Sequence, residues 1–194
     1  SIPPTPGEDV RLTVDVAAQR NALAVLDGQA ASAVALDVET GEIMVLASSP
    51  SFDPNAFVLG IGQDAFQALN SNPLRPLFNK ATTGLYAPAS TIKGMVALAA
   101  LQDDLMSPGE LVHCTGSTRL GDRTFHCWRR EGHGQVDMHE AVKTSCDIYF
   151  YEAARRLGVE RWAEIARRFG FGTLFDFALD VPSRADGLVP TPAW

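Results

Sequence analysis

The chain has 194 residues, 46% hydrophobic and 20% charged, the balance of one soluble globular domain or a large piece of one. Its formal net charge of −7 argues against nucleic acid as a partner, because phosphate recognition relies on clustered Lys and Arg. No Lys/Arg run exceeds two residues, and no stretch approaches the ~18 uninterrupted apolar residues of a membrane span. The sequence opens at Ser1-Ile2-Pro3-Pro4, with neither an initiator Met nor a signal peptide. It is therefore expected to be an excised piece, without a targeting signal.

The first residues are Pro-rich and expected to be loose. Val16 to Leu26 carries Ala/Leu spacing that predicts a short helix, ended by Asp27-Gly28. Two apolar runs, residues 33–38 and 43–48, flank Glu39-Thr40-Gly41-Glu42, which predicts a β-hairpin with glycine in its turn. Both strands are apolar on both faces, so a central sheet covered by helices is expected. Pro50 to Pro76 reads as a long excursion with one short helix near Asp64 to Leu69. From Ser90 to Leu101 the residues are apolar almost all round, the pattern of a buried helix. Met106 to Gly134, rich in Gly, His, Cys and charge, reads as a long structured loop, uncommon unless functional or held together. Helical pattern returns from Met138 to Leu157 and from Glu160 to Phe169. The tail from Gly170 to Trp194 shows no clear element, and no internal repeat is present.

One segment carries chemistry. Pro88 discourages helix before it, so Ser90 falls where the apolar helix starts, and Lys93, three residues on, shares its face. A serine hydroxyl is a weak nucleophile until an adjacent base takes its proton. Lysine can be that base where burial disfavours its ammonium form. The helix N-terminus adds free N–H groups that favour an oxyanion beside Ser90. Only Lys80, Lys93 and Lys143 are lysines, against thirteen arginines, and arginine stays protonated and cannot serve. S-x-x-K alone is weak, since it arises by chance about once in a chain this long. A surface lysine beside an N-cap serine has the same pattern.

Context narrows the reading. The segment from Phe78-Asn79-Lys80 through Tyr86-Ala87-Pro88-Ala89-Ser90-Thr91-Ile92-Lys93 resembles the active-site segment of class B penicillin-binding proteins. Residues 35–43 and 48–55 look like that family's first hairpin and following loop. Gly132-His133-Gly134 and Ser145-Cys146-Asp147-Ile148-Tyr149 point to its elongation branch, penicillin-binding protein 2. The resemblance covers roughly residues 10–194. It implies an α+β fold, the penicillin-binding transpeptidase (serine β-lactamase-like) fold in incomplete form: the N-terminal hairpin of the central sheet plus the helical part with the first two motifs. Residues 1–32 would be an N-terminal segment and lead-in helix, and residues 33–194 a partial transpeptidase domain.

The resemblance also assigns roles. Ser145-Cys146-Asp147 stands at the family's Ser-x-Asn motif, where Ser145 would relay a proton between Lys93 and the leaving or incoming amine. Asp147 replaces the commoner Asn and would set a carboxylate near Lys93, raising that lysine's pKa. Residues two apart on a regular helix diverge, so both face one cleft only if the helical pattern breaks near Thr144-Ser145. Simple capping of the next helix is the competing account. The family's third motif, Lys-Thr/Ser-Gly, does not occur in the chain, so the chain is expected not to acylate by itself.

Cys114, Cys127, His133 and Cys146 supply three thiolates and an imidazole, the set of a Cys₃His structural zinc site. The spacing lacks a C-x-x-C knuckle, yet a loop with little apolar content would gain order from a metal clip. Some elongation-branch members look similar, with a metal held by acidic residues, a His and a Cys. A Cys114–Cys127 disulfide and an inert buried Cys146 are rivals. His113, His126 and His139 are reserve ligands.

Taken together, the expected function is a D,D-transpeptidase acting through an acyl-serine on D-Ala-D-Ala stem peptides, trapped by β-lactams. A serine β-lactamase or carboxypeptidase of the same fold and a non-catalytic penicillin-sensing module are the alternatives. Implied partners are stem peptides, β-lactam antibiotics, a membrane glycan polymerase and elongation-complex proteins. The implied location is the periplasmic side of the inner membrane, reached through an N-terminal anchor outside this sequence.

Overall fold

The computed structural model describes residues 7, 9–177 and 184–193. It divides into two compact units, one running to Leu85 and the other beginning at Tyr86. Each has its own logic.

In the first unit, helix α1 (Val16–Val25) opens on Asp15, whose carboxylate accepts the Ala18 N–H at 2.8 Å and satisfies an otherwise orphaned donor. Strands β1 (Ala31–Leu36) and β2 (Ile43–Ser49) pair antiparallel, Ala31 opposite Ser49 and Ala33 opposite Ala47. In the connecting turn Asp37 Oδ1 accepts the N–H groups of Glu39 and Thr40, and Gly41 takes a φ of +77°. Alternation along β2 buries Val45, Ala47 and Ser49. Helix α1 lies along β2. The Gln19 side-chain amide exchanges two 2.9 Å hydrogen bonds with the Leu46 backbone, as a neighbouring strand would. The expectation of a sheet covered on both faces is not met among the described residues: β2 is buried on one face while Met44 on the other is 38% exposed, and Val34 and Leu36 of β1 are 52% and 55% exposed. Past Pro50 lie two short helices, α2 (Asn55–Val58) and α3 (Gln63–Ser71). The four residues of α2 are too few for a periodic signal.

The second unit starts with a 3₁₀ turn (Ala89–Ile92) running into helix α4 (Lys93–Gln102). Val96, Ala97, Ala99 and Ala100 of α4 are buried, while Leu98 is 52% exposed, so one face is covered rather than the whole circumference. The expected long loop instead folds into two ribbons. Strand β3 (Val112–Cys114) pairs with β6 (Gly134–Val136), and β4 (Ser117–Leu120) pairs with β5 (Arg123–His126). Strands of three or four residues, largely exposed, leave little alternation to read. Helix α5 (Met138–Lys143) is capped by Asp137, which accepts the Glu140 N–H at 2.8 Å. Helix α6 (Asp147–Arg168) follows, with a break at Gly158 where φ is +74°.

Helix α6 fills the core of this unit. Tyr149, Phe150 and Ala153 pack with Val96, Ala97 and Ala100 of α4, and with Cys114, Cys127, Val136, Met138 and Cys146. Burying such side chains contributes about 1.5–3 kcal/mol for each large apolar group. A bidentate pair of Arg161 with Asp103, at 2.6 and 2.7 Å, fixes α6 to the end of α4. The fold class is α+β. Among the described residues no helix is long and apolar enough to cross a membrane.

Candidate active site

The step from α5 into α6 is where backbone shape creates a site. Thr144 closes α5, Ser145 takes a φ of +52°, Cys146 is extended, and Asp147 begins α6. A left-handed serine costs about 1 kcal/mol or more, and such residues persist where the surroundings hold them. The kink turns Ser145 and Asp147 toward the same amine, as the expected break in the helix required. Lys93 Nζ donates to Ser145 O at 2.8 Å, to Ser145 Oγ at 3.0 Å and to Asp147 Oδ1 at 2.7 Å. An ammonium has three N–H donors, so its capacity is matched. The Lys93 and Asp147 side chains are 14% and 20% exposed, within reach of solvent yet poorly screened.

Asp147 is fixed at both oxygens, because Oδ2 accepts the Trp128 backbone N–H at 2.8 Å. Burial pushes its carboxyl upward, but the hydrogen bonds from Lys93 and Trp128 outweigh this and hold it below the usual carboxylate range. Ser90 lies on the 3₁₀ turn just ahead of Lys93, exposed, and follows Ala89 at a φ of +49°. Thr91 Oγ1 donates to Pro88 O and tightens that turn. The Lys93 backbone N–H donates to Ser90 O, and no hydrogen bond joins the two side chains among the described residues. Lys93, Ser145 and Asp147 are thus assembled, and Ser90 stands at the front of Lys93's own segment.

A second cluster adjoins the first. One ligand atom from each of Cys114, Cys127, His133 and Cys146 lies within 4.8 Å of all the others. His133 Nδ1 is 3.6 Å from Cys114 Sγ and 3.5 Å from Cys127 Sγ. Tetrahedral zinc, with bonds of about 2.3 Å to sulfur and 2.0–2.1 Å to nitrogen, sets sulfur and nitrogen ligands about 3.5 Å apart. The donor set therefore fits a zinc-sized ion. All three cysteines are buried and free, so the Cys114–Cys127 disulfide is not formed here. His113, His126 and His139 are exposed and lie outside the cluster. The thiols differ in their electrostatics. Burial pushes Cys114 upward, yet backbone N–H groups of His133 and Gly116 and the neighbouring thiols draw it below its ordinary value. Burial pushes Cys146 up to about 12. One thiolate makes the next harder to form.

Gly116 and Trp128 are not signalled by the motifs, and Gly132, within Gly132-His133-Gly134, has a steric role that the motif did not indicate. A Cβ on Gly116 would collide with the Arg130 carbonyl and one on Gly132 with the Cys114 carbonyl, so the strands around the cysteines cross at glycine-only clearance. Trp128 touches both clusters, and its position next to Cys127 is the one available hint. A groove of about 740 Å³, lined by Phe125, Ile148, Tyr151 and Ala154 among others, contains none of Ser90, Lys93, Ser145 or Asp147. It is not where this chemistry is gathered.

Comparison with known proteins gives the same direction. The penicillin binding protein transpeptidase domain matches residues 31–194. The chain is 41% identical over 193 residues to the peptidoglycan D,D-transpeptidase MrdA of Acinetobacter baumannii, covering 98% of this chain and 28% of that one. Among solved structures, PBP2 of Pseudomonas aeruginosa superposes with a TM-score of 0.88 at 39% identity, covering 97% of this chain and 43% of that one. PBP2 of Helicobacter pylori in its complex with MreC gives 0.77 at 31% identity, covering 84% and 30%.

Proposed function

The chain belongs to the penicillin-binding protein transpeptidase domain family, and from that premise we propose that it is the part of a peptidoglycan D,D-transpeptidase holding the nucleophile, its base and the proton relay. It spans 28% of the length of the A. baumannii relative, so the activity is that of a longer protein. The observation that carries the reading is the convergence of Ser145 and Asp147 on Lys93 across 52 and 54 residues of sequence. A surface lysine beside a capping serine needs no such partners.

In this mechanism Lys93 acts from its neutral amine form: Ser90 Oγ attacks the penultimate D-Ala carbonyl of a stem peptide and its proton passes to that amine, restoring the ammonium. Ser145 Oγ, 3.0 Å from Lys93 Nζ, then delivers a proton to the leaving amine as the C–N bond breaks and the terminal D-Ala departs. The incoming amine of a second stem returns its proton along the same path as it takes the acyl group. Asp147 holds the amine of Lys93 in line with Ser145. A β-lactam, with its strained amide, acylates Ser90 in the same way and stays. The location is the periplasmic face of the inner membrane, and the partners are elongation proteins such as MreC and a glycan polymerase.

Cys114, Cys127, His133 and Cys146 would hold zinc. Bound there, the ion supplies no acyl-transfer chemistry; it clips the β3–β6 ribbon to the start of α6. Elemental analysis of protein never exposed to chelator should give about one zinc per chain, and below about a tenth ends the assignment.

The reaction is tested with the full-length protein on a polymerised, stem-bearing glycan. Release of D-Ala with formation of stem-peptide dimers is expected. D-Ala release with hydrolysed monomers alone would indicate a carboxypeptidase, and Ser90 acylation without any peptide turnover a sensing module.

A further inference from the structure

Trp128 stands between the two clusters, and its indole side chain has no role in either description above. Trp128 is 64% exposed, yet it makes three directional contacts. Its backbone N–H donates to Asp147 Oδ2 at 2.8 Å. Its indole Nε1–H donates to the Thr144 carbonyl at 3.0 Å. Its ring meets His133 edge-on, with centroids 5.3 Å apart and planes at 64°. The two hydrogen bonds land on either side of Ser145, the residue held at a φ of +52°. Neighbouring Cys127 faces His133 Nδ1 at 3.5 Å. The tryptophan side chain joins an indole N–H donor to a flat aromatic ring that packs against imidazole.

We propose that Trp128 is a positioning residue, the strut through which the Cys/His cluster holds the strained Thr144–Ser145 turn in register with Lys93. It acts through other groups and touches no reacting atom. The physical logic is one of compensation. A left-handed Ser145 relaxes toward an ordinary conformation unless both flanks are tied, and relaxation carries Oγ away from Lys93. The Lys93 contacts restrain the turn from one side. Trp128 restrains it from the other, and its own place is set by Cys127 before it and His133 against its ring. As far as it concerns reactivity, the proposal rests on the acyl-transfer reading above.

The test uses the full-length protein carrying Trp128→Phe, which keeps the backbone donor and an aromatic face but removes the indole N–H. A neutral hydrogen bond is worth about 1 kcal/mol, or about fivefold in rate. The acylation rate constant for a fluorescent penicillin should fall by about that factor, with the noncovalent dissociation constant and the zinc content unchanged. Backbone amides of residues 144–147 should exchange hydrogen faster by a similar factor, a readout independent of any activity. If Trp128→Phe fails to fold, 3-benzothienylalanine at position 128 keeps the indole shape without its N–H and replaces it in both measurements. Unchanged exchange at 144–147 would overturn the proposal outright. So would an acylation loss accompanied by equal loss of zinc, which would make Trp128 part of the metal scaffold. If the unaltered protein never acylates, the functional reading fails and the reactive part of this proposal with it, whereas exchange still decides whether Trp128 restrains the turn.

Discussion

The two clusters at the start of α6 share a peptide bond and obey opposite rules. Lys93, Ser145 and Asp147 form a set that is complete as it stands: three donors meet three acceptors, and opposite charges lie 2.7 Å apart. Cys114, Cys127, Cys146 and His133 form a set that is not complete. Three thiols crowd one imidazole, one of them pushed up to about 12 by burial. His133 Nε2 is buried without a partner among the described residues. The first set explains its own geometry, and the second has the geometry of something that binds. Cys146 and Asp147 are adjacent, which joins the two sets through one stretch of backbone.

The largest effect expected from breaking this comparison is at Lys93. Lys93→Ala removes the proposed base and leaves Ser145 and Asp147 without their shared amine, so acylation by a fluorescent penicillin in the full-length protein should drop about 10²–10⁴-fold. Folding, followed by thermal unfolding, should survive. A drop of less than tenfold would detach the assembled set from the reaction.

Next in size is the crossing of strands around the cysteines. Gly116→Ala forces a methyl into the Arg130 carbonyl, at a backbone φ of +91°. Stability should fall by about 2–4 kcal/mol, read from denaturant unfolding. Zinc affinity should weaken in parallel, since the Cys114 and His133 segments are the ones pushed apart.

A smaller effect comes from a third polar group on α6 that is complete in the manner of the first set. Glu152 is held down to about 2 by Arg155 and Arg156. Its folded value lies below the unfolded one, so its contribution is fully present above about pH 4.3 and lost as pH falls through about 2. With partial exposure that contribution is about 1 kcal/mol. Glu152→Gln should flatten the acid limb of the stability curve by that much and leave zinc content untouched.

The smallest effect is expected at Tyr149, wholly buried with a hydroxyl that has no partner among the described residues. Tyr149→Phe removes an unsatisfied group and keeps the ring, so stability should be unchanged or rise by up to about 1 kcal/mol. A loss beyond that would mean that the hydroxyl has a partner in the whole protein.

Much of the local architecture was legible. Two apolar runs around a glycine-bearing turn gave the hairpin of β1 and β2, and Ala/Leu spacing ended by Asp27-Gly28 gave α1. The requirement that Ser145 and Asp147 face one cleft located the break between α5 and α6. Less visible were features that depend on contacts far apart in sequence. The ribbons of β3–β6 and β4–β5 are too short and too polar for periodicity. The role of Trp128 depends on partners 16 and 19 residues away. The scarcity of lysine was a weaker signal than it looked. Lys80 is 5% exposed and donates to the Arg75 carbonyl at 3.1 Å, so rarity and burial mark a structural lysine as readily as a basic one. Only the convergence of Ser145 and Asp147 separates Lys93 from it.

One measurement bears most directly on the claim that this assembly serves Ser90. The full-length protein, incubated with a penicillin and digested, is read by mass spectrometry for the acylated peptide. A single adduct on the peptide containing Ser90, absent from Ser90→Ala and slowed in Lys93→Ala, is the predicted result. An adduct on any other residue, or none while the protein is folded, would contradict the account.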